Sequence, residues 1–392
     1  MDKILAPFRQ GALLNKIFVS SIFLSLHTAL IVYINSSFLS KFFSESQVSA
    51  LYAAGAILSI ILLLKVPQIL NSMGGYKMTV YAILFEGLAI IGFTVSSAAF
   101  LTGAYFLLQQ MAVSMLLISF DLYVEELSTD ESKTGEIRSG YLTIGNLIYL
   151  AAPLTIAIFL TDNAYWKIYL LSIAVLIPLY WLFRKFFKST VLQPLRHIKL
   201  RETIIDSLRN KNIYSVIAAQ FLLQLFYTYM IIYMPLYLEH VMGFTWTSIG
   251  LMFTIMLLPF VLIEIPVGDL ADEKYGEKEF LAIGFIIMGL STLCISFISS
   301  HSFWIWTAVL FATRIGASLV EVTTDSYFFK QVTEEKANVI SFYRMTRPLS
   351  SIAGPALAVL SLAFIPFQYA FLVLGALMIV GTHYALALVD TK

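Results

Sequence analysis

Apolar residues run along this chain in stretches of around twenty, parted by short polar breaks, and within a stretch they do not alternate. A helix needs about 20 such residues to cross the roughly 30 Å hydrocarbon core of a bilayer. Membrane-barrel strands would instead read as segments of about 10 alternating residues. The pattern predicts spans over 14–39, 47–66, 78–97, 100–120, 140–160 and 166–187, then over 213–238, 247–266, 280–298, 303–323, 348–364 and 367–389. The expected class is therefore an all-α membrane protein with twelve transmembrane helices. Its tightest break is Ser96–Ser97–Ala98, between spans 3 and 4. The first run is too long for the core of a secretory signal and lacks a small-residue cleavage pattern, so it is read as span 1.

Composition agrees with the pattern. Of 392 residues, 59% are apolar and 12% charged, with mean hydropathy +0.83. A soluble domain carries about 25% charged residues; this chain cannot cover a water-facing surface and needs lipid as its solvent. A net charge of +1 points to no nucleic-acid partner. A single cysteine, Cys294, excludes an intramolecular disulfide framework and a cysteine-built zinc site, and no metal or cofactor is expected.

Basic residues orient the spans. With the N-terminus inside, 22 of the 25 Lys and Arg residues fall in cytoplasmic segments; Lys41 and Lys167 lie outside, and Arg314 lies within span 10. Both termini are thus expected in the cytoplasm, at a bacterial-type plasma membrane. The central loop, Arg184 to Lys211, makes the largest contribution with eight basic residues, and its segment Arg196–Arg209 is either a solvated linker or an amphipathic helix on the inner leaflet. Trp166, Trp246, Trp304 and Trp306 are expected at the outer interface, as an aromatic belt.

The chain also repeats itself. Lys65, Val66 and Pro67 close span 2, and Glu264, Ile265 and Pro266 close span 8, 199 residues later. Gly75–Tyr76–Lys77 and Gly276–Glu277–Lys278 open spans 3 and 9, 201 residues apart; Asp121 and Asp325 end spans 4 and 10, 204 apart; Pro153 and Pro355 lie in spans 5 and 11, 202 apart. Four matches in order at a nearly constant offset define two related halves. Six spans between equivalents give both halves the same orientation, so they are parallel repeats with a solute site expected between them near the midplane. The expected organisation is a six-helix half over 1–188, a basic linker over 189–211, and a second half over 212–392.

After span 8 the chain reads Gly268, Asp269, Leu270, Ala271, Asp272, and then Gly276 and Lys278. This resembles the loop signature of the major facilitator superfamily, in which a glycine, an aspartate, a second glycine and basic residues follow the second helix of a half. The resemblance covers the whole chain: twelve spans, a basic central loop, parallel halves and this motif. It departs by one extra residue before Gly276, by Glu277 at a usually basic position, and by Asn71 where the first half would place its aspartate. The resemblance implies a secondary transporter working by alternating access, with spans 1, 4, 7 and 10 lining the cavity. Gly268 and Gly276 would permit a tight turn. Asp272 would face the positive N-terminus of a neighbouring helix, a contact made in one conformer and broken in another.

Ionisable groups inside spans are costly and are functional candidates by default. Arg314, Ser318, Glu321 and Asp325 share one stripe of span 10. Arg314 and Glu321 are two turns, about 10 Å, apart, bridgeable by long side chains or by solute. Arg314 is expected to anchor an anionic group or to set the proton affinity of Glu321, or else to form a packing pair. Glu86, midway along span 3, is either a proton carrier or a hydrogen-bonding partner of a neighbouring helix. His27 in span 1 shares a stripe with Ser20, Leu24, Ile31 and Asn35, and serves packing or proton transfer. Gln220, Gln224 and Tyr227 on span 7, and Gln109 and Gln110 on span 4, are polar groups that could coordinate a solute.

The chain contains no Gly-x4-Gly-Lys-Ser/Thr phosphate loop, dinucleotide glycine fingerprint, HExxH pair or Gly-x-Ser-x-Gly turn. It is not expected to be an enzyme. The leading expectation is transport of a small solute, coupled to protons, with export of amphipathic compounds set against uptake of a sugar or organic anion. A membrane-embedded enzyme and a non-transporting sensor on a transporter fold are the alternatives.

Overall fold

The computed structural model describes residues 12–127, 134–190, 192, 210–263, 266–267, 270, 276–331 and 337–389. Among the described residues there is no strand. The first compact unit, ending at Arg196, contains α1 (Ala12–Val32), α2 (Asn35–Leu39), α3 (Glu45–Leu64), α4 (Val66–Val95), α5 (Ala99–Leu127), α6 (Thr134–Phe159) and α7 (Trp166–Phe186). The second, from His197, contains α8 (Lys211–Leu236), α9 (Trp246–Met256), α10 (Leu258–Leu262), α11 (Glu277–Ile295), α12 (Phe303–Gln331), α13 (Ala337–Arg344), α14 (Thr346–Leu362) and α15 (Phe367–Leu386). Every predicted span carries helix. Among the described residues nine helices are long and apolar enough to cross a membrane, and two shorter apolar helices occupy Leu147–Phe159 and Trp246–Leu262.

Local chemistry sets several boundaries. Ser44 caps α3 in a reciprocal box, its hydroxyl accepting from the Gln47 N–H while the Gln47 side chain accepts from the Ser44 N–H. Asn210 caps α8 by accepting from the amides of Asn212 and Ile213. The chain breaks at Tyr33 and Ile34, dividing span 1 into α1 and α2. In span 7, Pro235 supplies no N–H donor, and α8 passes into a π turn, Tyr237–Val241, in which the Met242 amide reaches back five residues to the Tyr237 carbonyl at 3.0 Å.

Packing repeats between the units. In the first, α4 packs on α5 and α7, α3 on α5, and α1 on α6 and α7; in the second, α11 packs on α12 and α15, α9 on α12, and α8 on α14 and α15. These are the same helix pairs in repeat order. One glycine in each unit marks the shared register. Gly74 (φ 77°, ψ 159°) interrupts α4 and Gly276 (φ 77°, ψ 167°) precedes α11, both in backbone that favours glycine. The true counterpart of Gly276 is therefore Gly74, not Gly75, at an offset of 202 residues.

The helices turn apolar residues outward. Along α4, Tyr81, Leu84, Phe85, Leu88, Ile91 and Val95 are exposed, at helical spacing, while Thr79 and Glu86 on the opposite face are buried. That arrangement costs too much in water and is stable in lipid. The tryptophan belt is only half present. Trp166 and Trp304 are exposed, but Trp246 and Trp306 are buried, the Trp306 indole donating to the Ser300 carbonyl at 2.9 Å. Aromatic bulk at that depth fills the bundle as readily as it meets lipid headgroups.

Candidate functional site

Among the described residues, each unit contains a buried polar arrangement that gathers sequence-predicted residues. In the first, α1 carries His27, α4 carries Glu86 and α7 carries Ser172, all with 0% exposure. His27 Nε2 lies 2.8 Å from Glu86 Oε1, and His27 Nδ1 lies 2.6 Å from the Ser172 hydroxyl and 3.3 Å from its carbonyl. Gln109 of α5 is the next polar group to the carboxyl. It accepts from Asn35 Nδ2 at 3.4 Å, and Asn35 Oδ1 accepts from the Tyr169 hydroxyl at 3.0 Å. A chain of six buried polar side chains thus joins four spans. Glu86 Oε2, buried, meets no hydrogen-bond partner among the described residues.

In the second unit the stripe on α12 divides by depth. Arg314 is 3% exposed, and its guanidinium lies 5.1 Å from the Phe226 ring centroid and 5.7 Å from that of Tyr227. Desolvated cation–π contacts contribute about 2 kcal/mol. Glu321, only half-buried, accepts the Tyr227 hydroxyl at 2.6 Å. Tyr227 therefore spans the two turns between Arg314 and Glu321, a bridge made by an aromatic side chain of α8. One turn on, Asp325 accepts from the Tyr343 hydroxyl, and that ring stacks on Phe328 at 4.0 Å. Arg347, exposed on α14, is close enough for its charge to act on Glu321. Ser318 is fully buried and donates to its own helix at the Ile315 carbonyl.

The sequence-predicted residues sort as follows. His27 and Glu86, read separately, form one pair. Arg314, Glu321 and Tyr227 form one cluster. Gln220 is buried with Oε1 unpartnered among the described residues, and Gln224 is half-buried. Gln110 does not join either arrangement: its side chain lies against Gly55 of α3, its carbonyl accepts from Ser59 at 3.1 Å, and its neighbour Gln109 takes the interior position. Of the loop signature, Gly268 and Asp272 lie outside the described residues, and Lys278 stands half-buried at the start of α11. Glu277, buried in that first turn, accepts from Ser326 at 3.0 Å and pairs with Lys330 of α12. The acid at a usually basic position is thus matched by a base on the adjoining helix. Tyr343 and Arg347 were not anticipated, since the sequence places them in or beside a basic loop. A groove of about 360 Å³ in this unit, walled by Tyr214, Phe221, Phe342, Leu349 and Tyr384, contains none of the stripe.

Long apolar helices, outward-facing apolar surfaces and buried polar clusters define an integral membrane protein with the fold of secondary transporters. The family model of the Major Facilitator Superfamily matches residues 216–392, and solved transporters match the fold of the whole chain. A bacterial homologue of the iron transporter ferroportin aligns over 95% of this chain and 97% of its own, with TM-score 0.73 and 14% identity. A bacterial metal transporter aligns over 96% and 98%, with TM-score 0.67 and 16% identity. The nucleoside transporter NupG aligns over 95% and 98%, with TM-score 0.75 and 12% identity. Among curated proteins none matches by sequence. The superfamily model thus covers 177 of the 392 residues, all within the second unit, and the likeness to the solved transporters is one of fold.

Proposed function

We propose that this chain is a proton-coupled secondary transporter that moves a small solute by alternating access, with Glu321 as the proton-binding group and Arg314 setting the charge around it. The observation that carries this reading is the Tyr227 bridge. One side chain touches both the guanidinium of Arg314 and the carboxyl of Glu321, so protonation of Glu321 and placement of the cation are mechanically linked. Glu321 is half-buried whereas Arg314 is sealed, which leaves the acid able to exchange protons and the base a fixed charge. The basic-residue distribution supports an N-in, C-in orientation in a bacterial-type plasma membrane.

The aromatic surroundings of the cluster, Phe226, Tyr227 and Phe260, favour an amphipathic solute and export. A second reading, uptake of an organic anion, is favoured by Arg314 itself. The neighbours' metals are not carried over: among the described residues no three His, Cys, Asp or Glu side chains gather as metal ligands would.

Solutes found by a thermal-shift screen of the purified protein, which reports ligands bound to the folded state, would be tested in proteoliposomes under an imposed pH gradient. Glu321→Gln is expected to lower gradient-driven accumulation by about tenfold, or about 1.4 kcal/mol, while solute exchange without a gradient persists. Unchanged gradient-driven accumulation in a folded Glu321→Gln protein would exclude this assignment.

A further inference from the structure

We propose that the His27–Glu86 pair in the first unit is a second proton site, holding one proton that water cannot reach in this conformation. It rests on the proton-coupled reading for its use, and on its own geometry for its existence.

Three charge states are open to an imidazole and a carboxyl in contact. With no proton shared between them the pair is an anion; with two it is a cation; with one it is neutral. Both side chains have 0% exposure, so either charged state places a net charge in the interior of a lipid-embedded bundle, at a cost of several kcal/mol. The neutral state avoids that cost. It also fits the atoms. Nδ1 faces the Ser172 carbonyl, which only accepts, and the Ser172 hydroxyl, which can accept. A hydrogen on Nδ1 satisfies that side. The partner of Nε2 is Glu86 Oε1 at 2.8 Å, so the shared proton sits on that contact: on Nε2 it makes an ion pair, on Oε1 a neutral imidazole and a neutral acid, and the low-dielectric interior favours the second. Oε2 is then the carbonyl oxygen of a neutral acid, which tolerates its lack of a close donor; as half of a carboxylate the same atom would carry buried negative charge with only the neutral Gln109 side chain near it beyond His27.

The groups facing Glu86 from the surrounding helices do not alter that count. From α1 comes His27, from α5 Gln109, and from α7 Ser172 and, through Asn35 and Gln109, Tyr169. Only His27 and Tyr169 titrate, and the tyrosine donates its proton to an amide oxygen. The proton is enclosed by α1, α4, α5 and α7, so exchange requires these helices to part. A proton taken up in one conformer and released only in another is what alternating access asks of a coupling ion.

The test is infrared difference spectroscopy of the full-length protein in lipid nanodiscs, over about pH 5 to 8. The expected result is a carboxylic-acid carbonyl band that shifts slowly in D2O, declines reversibly as pH rises, disappears in Glu86→Gln and persists in Glu321→Gln. Ser172→Ala should move its frequency without removing it, which keeps the assignment testable if Glu86→Gln does not fold. The proposal is overturned if no such band exists, if the band ignores pH and so reports a fixed packing acid, or if sodium removes it and so marks a metal-cation site. Because Glu321→Gln leaves this band in place, failure here and failure of the Glu321 assignment are read separately.

Discussion

Helices α4 and α11 are counterparts in the two units, yet they hold their neighbours by opposite means. At the offset of 202 residues set by Gly74 and Gly276, Glu86 corresponds to Met288 and Gly87 to Gly289. In the first unit the interior of α4 is tied by the hydrogen-bonded Glu86, and a Cβ added at Gly87 would meet nothing within 4 Å. In the second, α11 is wedged between two helices with backbone nearly touching backbone. A Cβ at Gly316 would lie 2.4 Å from the Met288 nitrogen and 2.6 Å from the Gly284 carbonyl; one at Gly375 would lie 2.8 Å from the Leu293 nitrogen and 3.0 Å from the Gly289 carbonyl. Small residues permit such crossings in membranes, where contact and not hydrophobicity holds helices together. At that crossing the Met288 position holds a fully buried apolar side chain in place of the carboxyl. The second unit instead carries its stripe of ionisable groups on α12, with Arg314 buried and Glu321 half-buried. Duplication has kept the backbone plan and the packing pairs, while the buried face of each copy has been free to specialise.

The comparison can be broken at four points. The largest effect is expected from Gly316→Ala, whose methyl would overlap backbone atoms and should cost about 3 kcal/mol or more; a thermal midpoint equal to wild type would mean the crossing is looser than described. Next, a double-mutant cycle of His27→Gln and Glu86→Gln should return a coupling of about 2 kcal/mol by thermal unfolding, and additive losses would deny that the pair ties α1 to α4. Tyr227→Phe removes the hydroxyl from Glu321 but keeps the ring beneath Arg314. It should cost about 1 kcal/mol and weaken gradient-driven transport, whereas loss of the same size in gradient-free exchange would assign the ring, not the hydroxyl, to the effect. Smallest of all, Gly87→Ala should stay within about 0.5 kcal/mol of wild type. A cost there comparable to that of Gly289→Ala would erase the contrast between the units.

Much of this fold could be read from the chain because its signals are long. Runs of apolar residues mark helices without reference to any partner, and the Ser96–Ser97–Ala98 break falls between α4 and α5 as expected. The repeat could be read as well, though not its register: Gly74 and Gly75 are adjacent and only a backbone angle tells them apart. The site was less legible, since it depends on which buried groups meet. His27 and Glu86 are 59 residues apart; the available signal was that two ionisable groups in the spans of one half tend to pair. Choosing Gln109 over Gln110 turns on a rotation of about 100° on one helix. Trp246 and Trp306 misled because an aromatic ring suits both lipid interface and bundle interior. Tyr343 and Arg347 were hidden by their position beside a charged loop, where a reach into the bundle leaves no periodic trace.

The π turn after Pro235 has one practical outcome for anyone editing span 7. Such a turn accommodates a single surplus residue in an otherwise α-helical segment, so the chain downstream of Tyr237 is out of phase with the chain upstream. Deleting one residue between Tyr237 and Val241 should close the surplus and leave the orientation of Gln220, Gln224 and Tyr227 untouched. The same deletion before Pro235 would swing every earlier side chain by about 100°, carrying Tyr227 away from both groups it connects.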